Sequence, residues 1–276
     1  MKRACIVGWP VKHSRSPMIH RYWLQRLGLA GDYVQEGVPP EDFARFLKSL
    51  GDRGYVGCNV TLPHKEAAFA LLDEVDPAAA ALGAANTIWL EDGRLCGSNS
   101  DVMGFLASLD ADVPGWAEET GHALVLGAGG AARGIVHGLI SRGVERITVA
   151  NRSADRAEAI AAEFGPRVAA AALASAPNLL PGTDLLINTT ALGMAGQPPL
   201  DLALDGLKTS AIVTDIVYVP LETPLITGAR ARGHRVVGGL GMLLYQAIPG
   251  FSKWFGTTPA VTPELYELVA ADVRGS

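Results

Sequence analysis

Short apolar runs alternate with amphipathic stretches along nearly the whole chain. Ala4-Cys5-Ile6-Val7 predicts a strand, followed by a helix with Ile19, Trp23, Leu24 and Leu27 on one face. Asp32-Tyr33-Val34 predicts a second strand, and Glu41 to Leu50 a second helix with Phe43, Phe46, Leu47 and Leu50 at helical spacing. Tyr55-Val56-Gly57-Cys58-Asn59-Val60 reads as a third strand, and Pro63 as the first position of a third helix. Thr87 to Leu90, a turn at Glu91-Asp92-Gly93 and a return through Leu95 predict a hairpin. A helix from Asp101 to about Leu109 and a polar stretch with Pro114 and Gly115 come next. The alternation then resumes. Ala123 to Leu126, Arg146 to Ala150, Asp184 to Asn188, Ala211 to Asp215 and Arg235 to Val237 read as strands. The Ala-rich stretch from Ala157 to Ala176 reads as a helix followed by a strand, and two helices, Gly241 to about Trp254 and Pro263 to Val273, end the chain.

The strand at Ala123-Leu124-Val125-Leu126 runs directly into Gly127-Ala128-Gly129-Gly130-Ala131-Ala132, a G-x-G-x-x-A turn. Gly127 suits the tight turn, Gly129 a close approach of backbone to pyrophosphate, and Ala132 the packing of a helix on its strand. A phosphate would meet the free N–H groups and positive dipole end of the helix from Ala131 to about Ser141. After the next strand, an NAD site usually offers Asp or Glu to the ribose hydroxyls. This chain offers Asn151, Arg152, Ser153 and Arg156, the cations and donors that an adenosine 2′-phosphate requires, so the reading is NADP. The competing reading makes both arginines solvated residues at a helix start.

The expected fold class is therefore α/β: two α/β domains flanking a cleft, with loops at the strand C-terminal ends where open parallel sheets place their ligands. Residues 1–100 form a substrate-binding and catalytic domain. Residues 101–240 form a Rossmann-type, doubly wound NADP-binding domain, with 101–121 as linker helix and loop. Helices in 241–276 pack back across the cleft onto the N-terminal domain.

Composition narrows the partners. The 276 residues are 49% hydrophobic and 18% charged, enough to bury a sizeable core. A net charge of −5 and the lack of a basic stripe with interleaved aromatics argue against a nucleic-acid partner. Cys5, Cys58 and Cys96 are odd in number, far apart and without metal-ligand spacing, which favours reduced cytoplasmic thiols and no metal. The N-terminus lacks the long apolar core of a signal peptide, and no run reaches membrane-spanning length. The expected partner is a small-molecule substrate, with no membrane, and the chain is expected to be a monomer or homodimer.

Three places suggest chemistry. Ser14-Arg15-Ser16-Pro17 reads as a helix start with Ser16 as N-cap and Pro17 at N1, yet two hydroxyls beside a helix N-terminus also suit a carboxylate. Lys65 falls in a first helical turn, where the dipole disfavours a cation by about 0.3–1 kcal/mol at exposed sites. Local rules are broken most often at functional sites, although a solvated lysine fits the same position. Asp101 opens the helix that joins the domains, from where its carboxylate could meet Lys65 across the cleft.

Taken together, the motifs resemble the shikimate dehydrogenase family over nearly the whole chain. They are His13-Ser14-Arg15-Ser16-Pro17, Asn59-Val60-Thr61-Leu62-Pro63-His64-Lys65, Gly83-Ala84-Ala85-Asn86-Thr87, residues 97–105 from Gly97 to Phe105, the glycine turn, Asn151-Arg152-Ser153, Asn188 to Met194, Asp215-Ile216-Val217-Tyr218 and Gly238 to Gln246. Ser100 stands where the family commonly has Thr, which keeps the hydroxyl, and His64 occupies a variable position. The resemblance implies that Lys65 and Asp101 are the catalytic pair. It implies that Ser14, Ser16 and Tyr218 hold a substrate carboxylate, and that Thr61, Asn86, Asp101 and Gln246 bind ring hydroxyls, with Asn59 in the same set. It implies an NADP site of Gly127, Ala128, Gly129, Gly130, Ala131, Asn151, Arg152, Ser153, Arg156, Thr189, Ile216 and Gly239. The implied activity is NADPH-dependent, reversible reduction of 3-dehydroshikimate to shikimate, in aromatic amino-acid biosynthesis. Two alternatives stand beside it: a catabolic quinate/shikimate dehydrogenase using NAD, against which the strand-end arginines count, and a non-catalytic NADP-binding regulator, which should have lost part of the polar set.

Overall fold

The computed structural model describes residues 1–275, which divide into two compact units. One holds Met1–Met103 and Leu244–Val269; the other holds Gly104–Leu243 and the segment from Ala270 on.

In the first unit, six strands form one sheet: β1 (Lys2–Gly8), β2 (Gly31–Gly37), β3 (Tyr55–Val60), β4 (Glu74–Val75), β5 (Thr87–Glu91) and β6 (Arg94–Ser98). Their order is β2-β1-β3-β5-β6-β4. Pairs β1–β2 and β1–β3 are parallel, as strands joined by crossover helices must be. The expected hairpin then continues the sheet in antiparallel sense, β3 against β5 and β5 against β6. The sheet is thus mixed rather than parallel throughout, because a two-residue turn at Asp92-Gly93 can return a strand only beside its neighbour. Both turn residues carry positive φ, 51° and 77°. The short edge strand β4 and the helix Pro77–Leu82 had no counterpart in the hydrophobic pattern.

One face of this sheet buries Val7, Phe43, Phe46, Leu47, Leu50 and Ile88 in a single core. The C-terminal helix Ala247–Phe255 packs on β3 and β5. Trp254 Nε1 donates to the Ile88 carbonyl at 2.9 Å, and a Cβ on Gly57 would lie 2.0 Å from that same nitrogen, so only glycine lets the indole reach the strand. The apolar run from Gly241 to Trp254 is two helices, Gly239–Tyr245 and Ala247–Phe255, parted at Gln246.

The first unit runs to Met103, three residues past residue 100, and the Asp101 side chain is bonded to Lys65 and Asn86 of that unit. Both this division and the one at Leu243 fall inside helices, Asp101–Asp112 and Gly239–Tyr245. The C-terminal segment also divides: Leu244–Val269 cluster with the first unit, and the residues from Ala270 on with the second.

The second unit contains β7 (His122–Leu126), β8 (Arg146–Asn151), β9 (Val168–Ala172), β10 (Leu185–Asn188), β11 (Ile212–Asp215) and β12 (Arg235–Val237). They pair in parallel in the order β9-β8-β7-β10-β11-β12. This is the doubly wound order, reversing between β7 and β10, and its ligand crevice lies at the C-terminal ends of the strands beside that reversal. Strands β7, β10 and β11 are buried at every position, as expected of central strands covered on both faces.

Candidate functional site

Lys65 is the first residue of the helix Lys65–Ala70, and its place is well supported. Its carbonyl accepts from Ala85 N–H at 3.0 Å. The preceding His64 is buried, stacked on Phe43 with ring centroids 4.3 Å apart, and its Nε2 lies 2.7 Å from the Val38 carbonyl. Pro63 stands ahead of the helix in a turn, not at N1 as the sequence suggested; that turn is closed by His64 N–H on the Thr61 carbonyl at 3.0 Å.

Lys65 Nζ meets Asp101 Oδ2 at 2.5 Å, with both side chains 28% exposed. The pair lies within the first unit, not across a domain boundary. Asn86 Nδ2 donates to the other oxygen, Asp101 Oδ1, at 2.8 Å. A lysine has three ammonium protons, so after Asp101 takes one, two remain for a ligand at this half-exposed site. An oriented carboxyl group and an amine in contact are the elements of general acid–base catalysis.

The other residues of the implied substrate set are placed differently. Ser16, not Arg15 or Ser14, opens the helix Ser16–Arg26, Pro17 is its second residue, and Ser14 Oγ accepts from Ser16 N–H at 3.3 Å. Ser16 is therefore not an N-cap, and its hydroxyl is not needed for that role. Thr61 is half-buried, with its methyl over Gly8. Asn59 is only 4% exposed, and both its amide protons are used within the protein: Oδ1 accepts from Tyr33 at 2.7 Å, while Nδ2 donates to the Asn86 carbonyl at 3.1 Å and Thr87 Oγ1 at 3.2 Å. Gln246 sits at the break between two helices, and Tyr218 belongs to the second unit.

In the second unit the glycine turn fits a dinucleotide. Gly127 has φ +105°, and a Cβ there would fall 2.7 Å from Thr189 Oγ1, so glycine is required twice over. Thr189 in turn donates to the Leu126 carbonyl at 2.7 Å and props the turn open. Gly129 and Gly130 face open space, and the helix Gly130–Ser141 has no side-chain cap on its first N–H groups. Those uncapped donors are what a pyrophosphate would satisfy. At the end of β8, Asn151 Nδ2 donates to the Ser153 carbonyl at 2.9 Å, and Ser153 precedes the helix Ala154–Phe164. Arg152 and Arg156 are exposed, and neither has an ion pair with a described residue. On the other side of the switch point, a cavity of about 330 Å³ is lined by Thr189, Thr190, Met194, Ile216 and Tyr218. Gly239 packs so closely on this wall that a Cβ would lie 2.4 Å from the Ile216 carbonyl oxygen.

Asp215 ends β11 beside that wall. It is buried and accepts from Thr223 Oγ1 at 2.7 Å, Val217 N–H at 3.0 Å and Asn188 Nδ2 at 3.0 Å. Burial pushes its carboxyl upward, and these three donors oppose that shift. Its donors tie β10, β11 and the 216–219 segment together. Among the described residues no group of His, Cys, Asp and Glu could hold a metal, all three cysteines are free and buried, and no helix is long and apolar enough to cross a membrane.

A doubly wound unit with a dinucleotide turn, joined to an α/β unit that carries a lysine–carboxylate pair, defines a two-domain nicotinamide-dependent dehydrogenase. The family model described as "Shikimate dehydrogenase substrate binding domain" matches residues 6–88, and that described as "Shikimate / quinate 5-dehydrogenase" matches residues 115–194. The chain belongs to the shikimate dehydrogenase family. It is 54% identical over 273 residues to the shikimate dehydrogenase (NADP(+)) of Azorhizobium caulinodans, covering 99% of this chain and 97% of that one. Among solved structures it is similar to the Thermus thermophilus shikimate 5-dehydrogenase in complex with NADP(H) and shikimate, at TM-score 0.87 and 39% identity over 99% of this chain and all of that one. It also resembles the Corynebacterium glutamicum quinate dehydrogenase in complex with NAD, at TM-score 0.90 but 28% identity, covering 98% of this chain and 99% of that one. Backbone similarity does not separate the two, whereas identity is higher to the shikimate 5-dehydrogenase, 39% against 28%.

Proposed function

We propose that the protein reversibly reduces 3-dehydroshikimate to shikimate with NADPH, a step toward aromatic amino acids. The observation that carries the catalytic assignment is the 2.5 Å contact of Lys65 with Asp101, itself held by Asn86. When bound, NADPH supplies the hydride. Lys65 delivers a proton to the oxygen that gains charge as the carbonyl is reduced, and recovers one in the reverse direction. Asp101 orients the lysine and accepts from a substrate hydroxyl. Thr61 and Asn86 contribute further hydroxyl contacts, and Tyr218 and Gln246 complete the substrate set. The uncapped turn at Gly127–Ala131 holds the pyrophosphate, and Asn151, Arg152, Ser153 and Arg156 hold the 2′-phosphate.

The test is a steady-state assay of shikimate and quinate, each with NADP and NAD. Shikimate with NADP should give the highest kcat/KM. A preference for quinate with NAD would overturn the reading in favour of a catabolic enzyme, and no turnover in any pairing would leave a binding protein.

Ser14 and Ser16 are assigned to the substrate carboxylate. Charge-assisted hydrogen bonds made equally in ground and transition states act on binding, so Ser16→Ala should raise the shikimate KM by about tenfold with kcat little changed. A loss of thermal stability without a change in KM would make Ser16 a purely structural residue.

A further inference from the structure

Behind Asp101 lies a buried hydrogen-bond network whose two amides are each fixed in orientation by a backbone group. The Asn86 side-chain oxygen accepts from the backbone N–H of Ser100 at 2.8 Å. That donor cannot reverse, so Asn86 must turn its nitrogen toward Asp101. The same logic fixes Asn59, whose nitrogen donates to the Asn86 backbone carbonyl at 3.1 Å and whose oxygen must therefore accept from Tyr33. The second proton on Asn59 Nδ2 goes to Thr87 Oγ1 at 3.2 Å, which leaves the Thr87 hydroxyl proton to reach Asn86 Oδ1 at 3.0 Å or Ser100 Oγ at 3.1 Å, and Ser100 Oγ in turn lies 3.1 Å from Asn86 Oδ1. Tyr33, Asn59, Thr87 and Asn86 thus lead to Asp101, with Ser100 beside Thr87 as a second hydroxyl on the Asn86 oxygen. Tyr33 and Thr87 are fully buried. His20 lies flat on Tyr33, with centroids 4.0 Å apart and planes 4° apart, and holds the phenol in place. Burial lowers the His20 imidazole to about 3, so this plate carries no charge at neutral pH.

We infer that Thr87, with Tyr33 and Asn59 behind it, is a positioning residue that sets the orientation of the Asp101 carboxylate through Asn86. The inference rests on the reading of Lys65 and Asp101 as the catalytic pair. Thr87 touches neither of them. Its hydroxyl accepts from the Asn59 amide and reaches the Asn86 oxygen directly or by way of Ser100 Oγ. Without it, Asn59 has a spare proton, Ser100 Oγ loses a partner and the Asn86 oxygen is held by Ser100 alone, in a buried place where unmet polar groups are costly. A loosened Asn86 leaves Asp101 less firmly aimed, which affects the transition state more than cofactor binding in the other unit.

Thr87→Val removes the hydroxyl and keeps the shape, while Thr87→Ser keeps the hydroxyl and removes a methyl. With the full chain assayed below the melting temperature of each variant, Thr87→Val should lower kcat about tenfold, with the NADP KM within about twofold of wild type. Thr87→Ser should recover most of that loss, an outcome that a packing role for the methyl would not produce. Tyr33→Phe should lower kcat in the same direction by a smaller factor, and it carries the test should Thr87→Val fail to fold. Wild-type kcat in Thr87→Val, or in Tyr33→Phe where that variant carries the test, or Thr87→Ser as slow as Thr87→Val, overturns the inference. Lys65→Ala in the same assay separates the two failures. If it is slow while the Thr87 variants are normal, only this inference falls; if it is fast, the catalytic pair itself is misassigned.

Discussion

Lys65→Ala should yield a folded protein whose kcat is at least about a hundredfold below wild type, with the shikimate KM little changed. General acid–base groups contribute about 10²–10⁴-fold, and a group acting only as the reacting oxygen gains charge appears in kcat rather than in KM. The structure explains why folding should survive. Lys65 is the first residue of a short helix whose backbone is held by Ala85 and whose approach is held by buried His64, neither of which uses the amine. Asp101 keeps its bond from Asn86 and is partly open to water, so losing the lysine does not strand a buried charge. Lys65→Arg is the informative companion. The guanidinium keeps the positive charge and can pair with Asp101 but does not release a proton in this pH range, so it should be almost as slow as Lys65→Ala. Recovery in Lys65→Arg would reduce the role of Lys65 to electrostatics, and near-normal kcat in a folded Lys65→Ala would remove it from catalysis.

The second large effect is expected at the other end of the molecule's chemistry. Arg152→Ala should raise the NADP KM by about tenfold or more and leave the weak activity with NAD almost unchanged, since a charge-assisted contact to the 2′-phosphate exists only for NADP. Specificity is a difference between two affinities, so one substitution should change the ratio directly. Arg152 and Arg156 are both exposed and have no carboxylate partner among the described residues, whereas Arg133 is held by Glu163 in a bidentate pair. The available strand-end cations are thus separated from those the fold has already used. Because the site is open to solvent, raising the ionic strength should weaken NADP more than NAD. The measurement is kcat/KM for both cofactors in wild type and Arg152→Ala at low and moderate salt. Equal losses for both cofactors would show that Arg152 supports the fold of the turn rather than the phosphate.

Features set by neighbours in the chain were legible without coordinates. The apolar run into Gly127, the positive φ needed there, the helix after it and the arginines after β8 are all local, and a parallel sheet buried on both faces declares itself by continuous apolar strands. The hairpin at Asp92-Gly93 was equally visible, since turn chemistry is written in two residues. What the hairpin did to the sheet was not: the antiparallel pairing of β5 with β3 depends on which edge was free once β1, β2 and β3 had assembled. Asn59 illustrates the same limit at the site. The resemblance groups it with Thr61 and Lys65 among substrate residues, and register places it opposite Thr87, where its amide protons meet Thr87 and Asn86 and its oxygen meets Tyr33. Tyr33 and Thr87 gave no sign of their part, for each reads as an ordinary strand residue. The sequence by itself determined the two α/β units, the dinucleotide turn, the strand-end arginines and the candidate lysine and carboxylate, because local backbone preference and residue chemistry suffice for these. Only the tertiary structure decided that the lysine meets that carboxylate within one unit and that a buried hydrogen-bond network stands behind it, because hydrogen bonds between residues 14 to 36 positions apart form only where packing has brought the strands together.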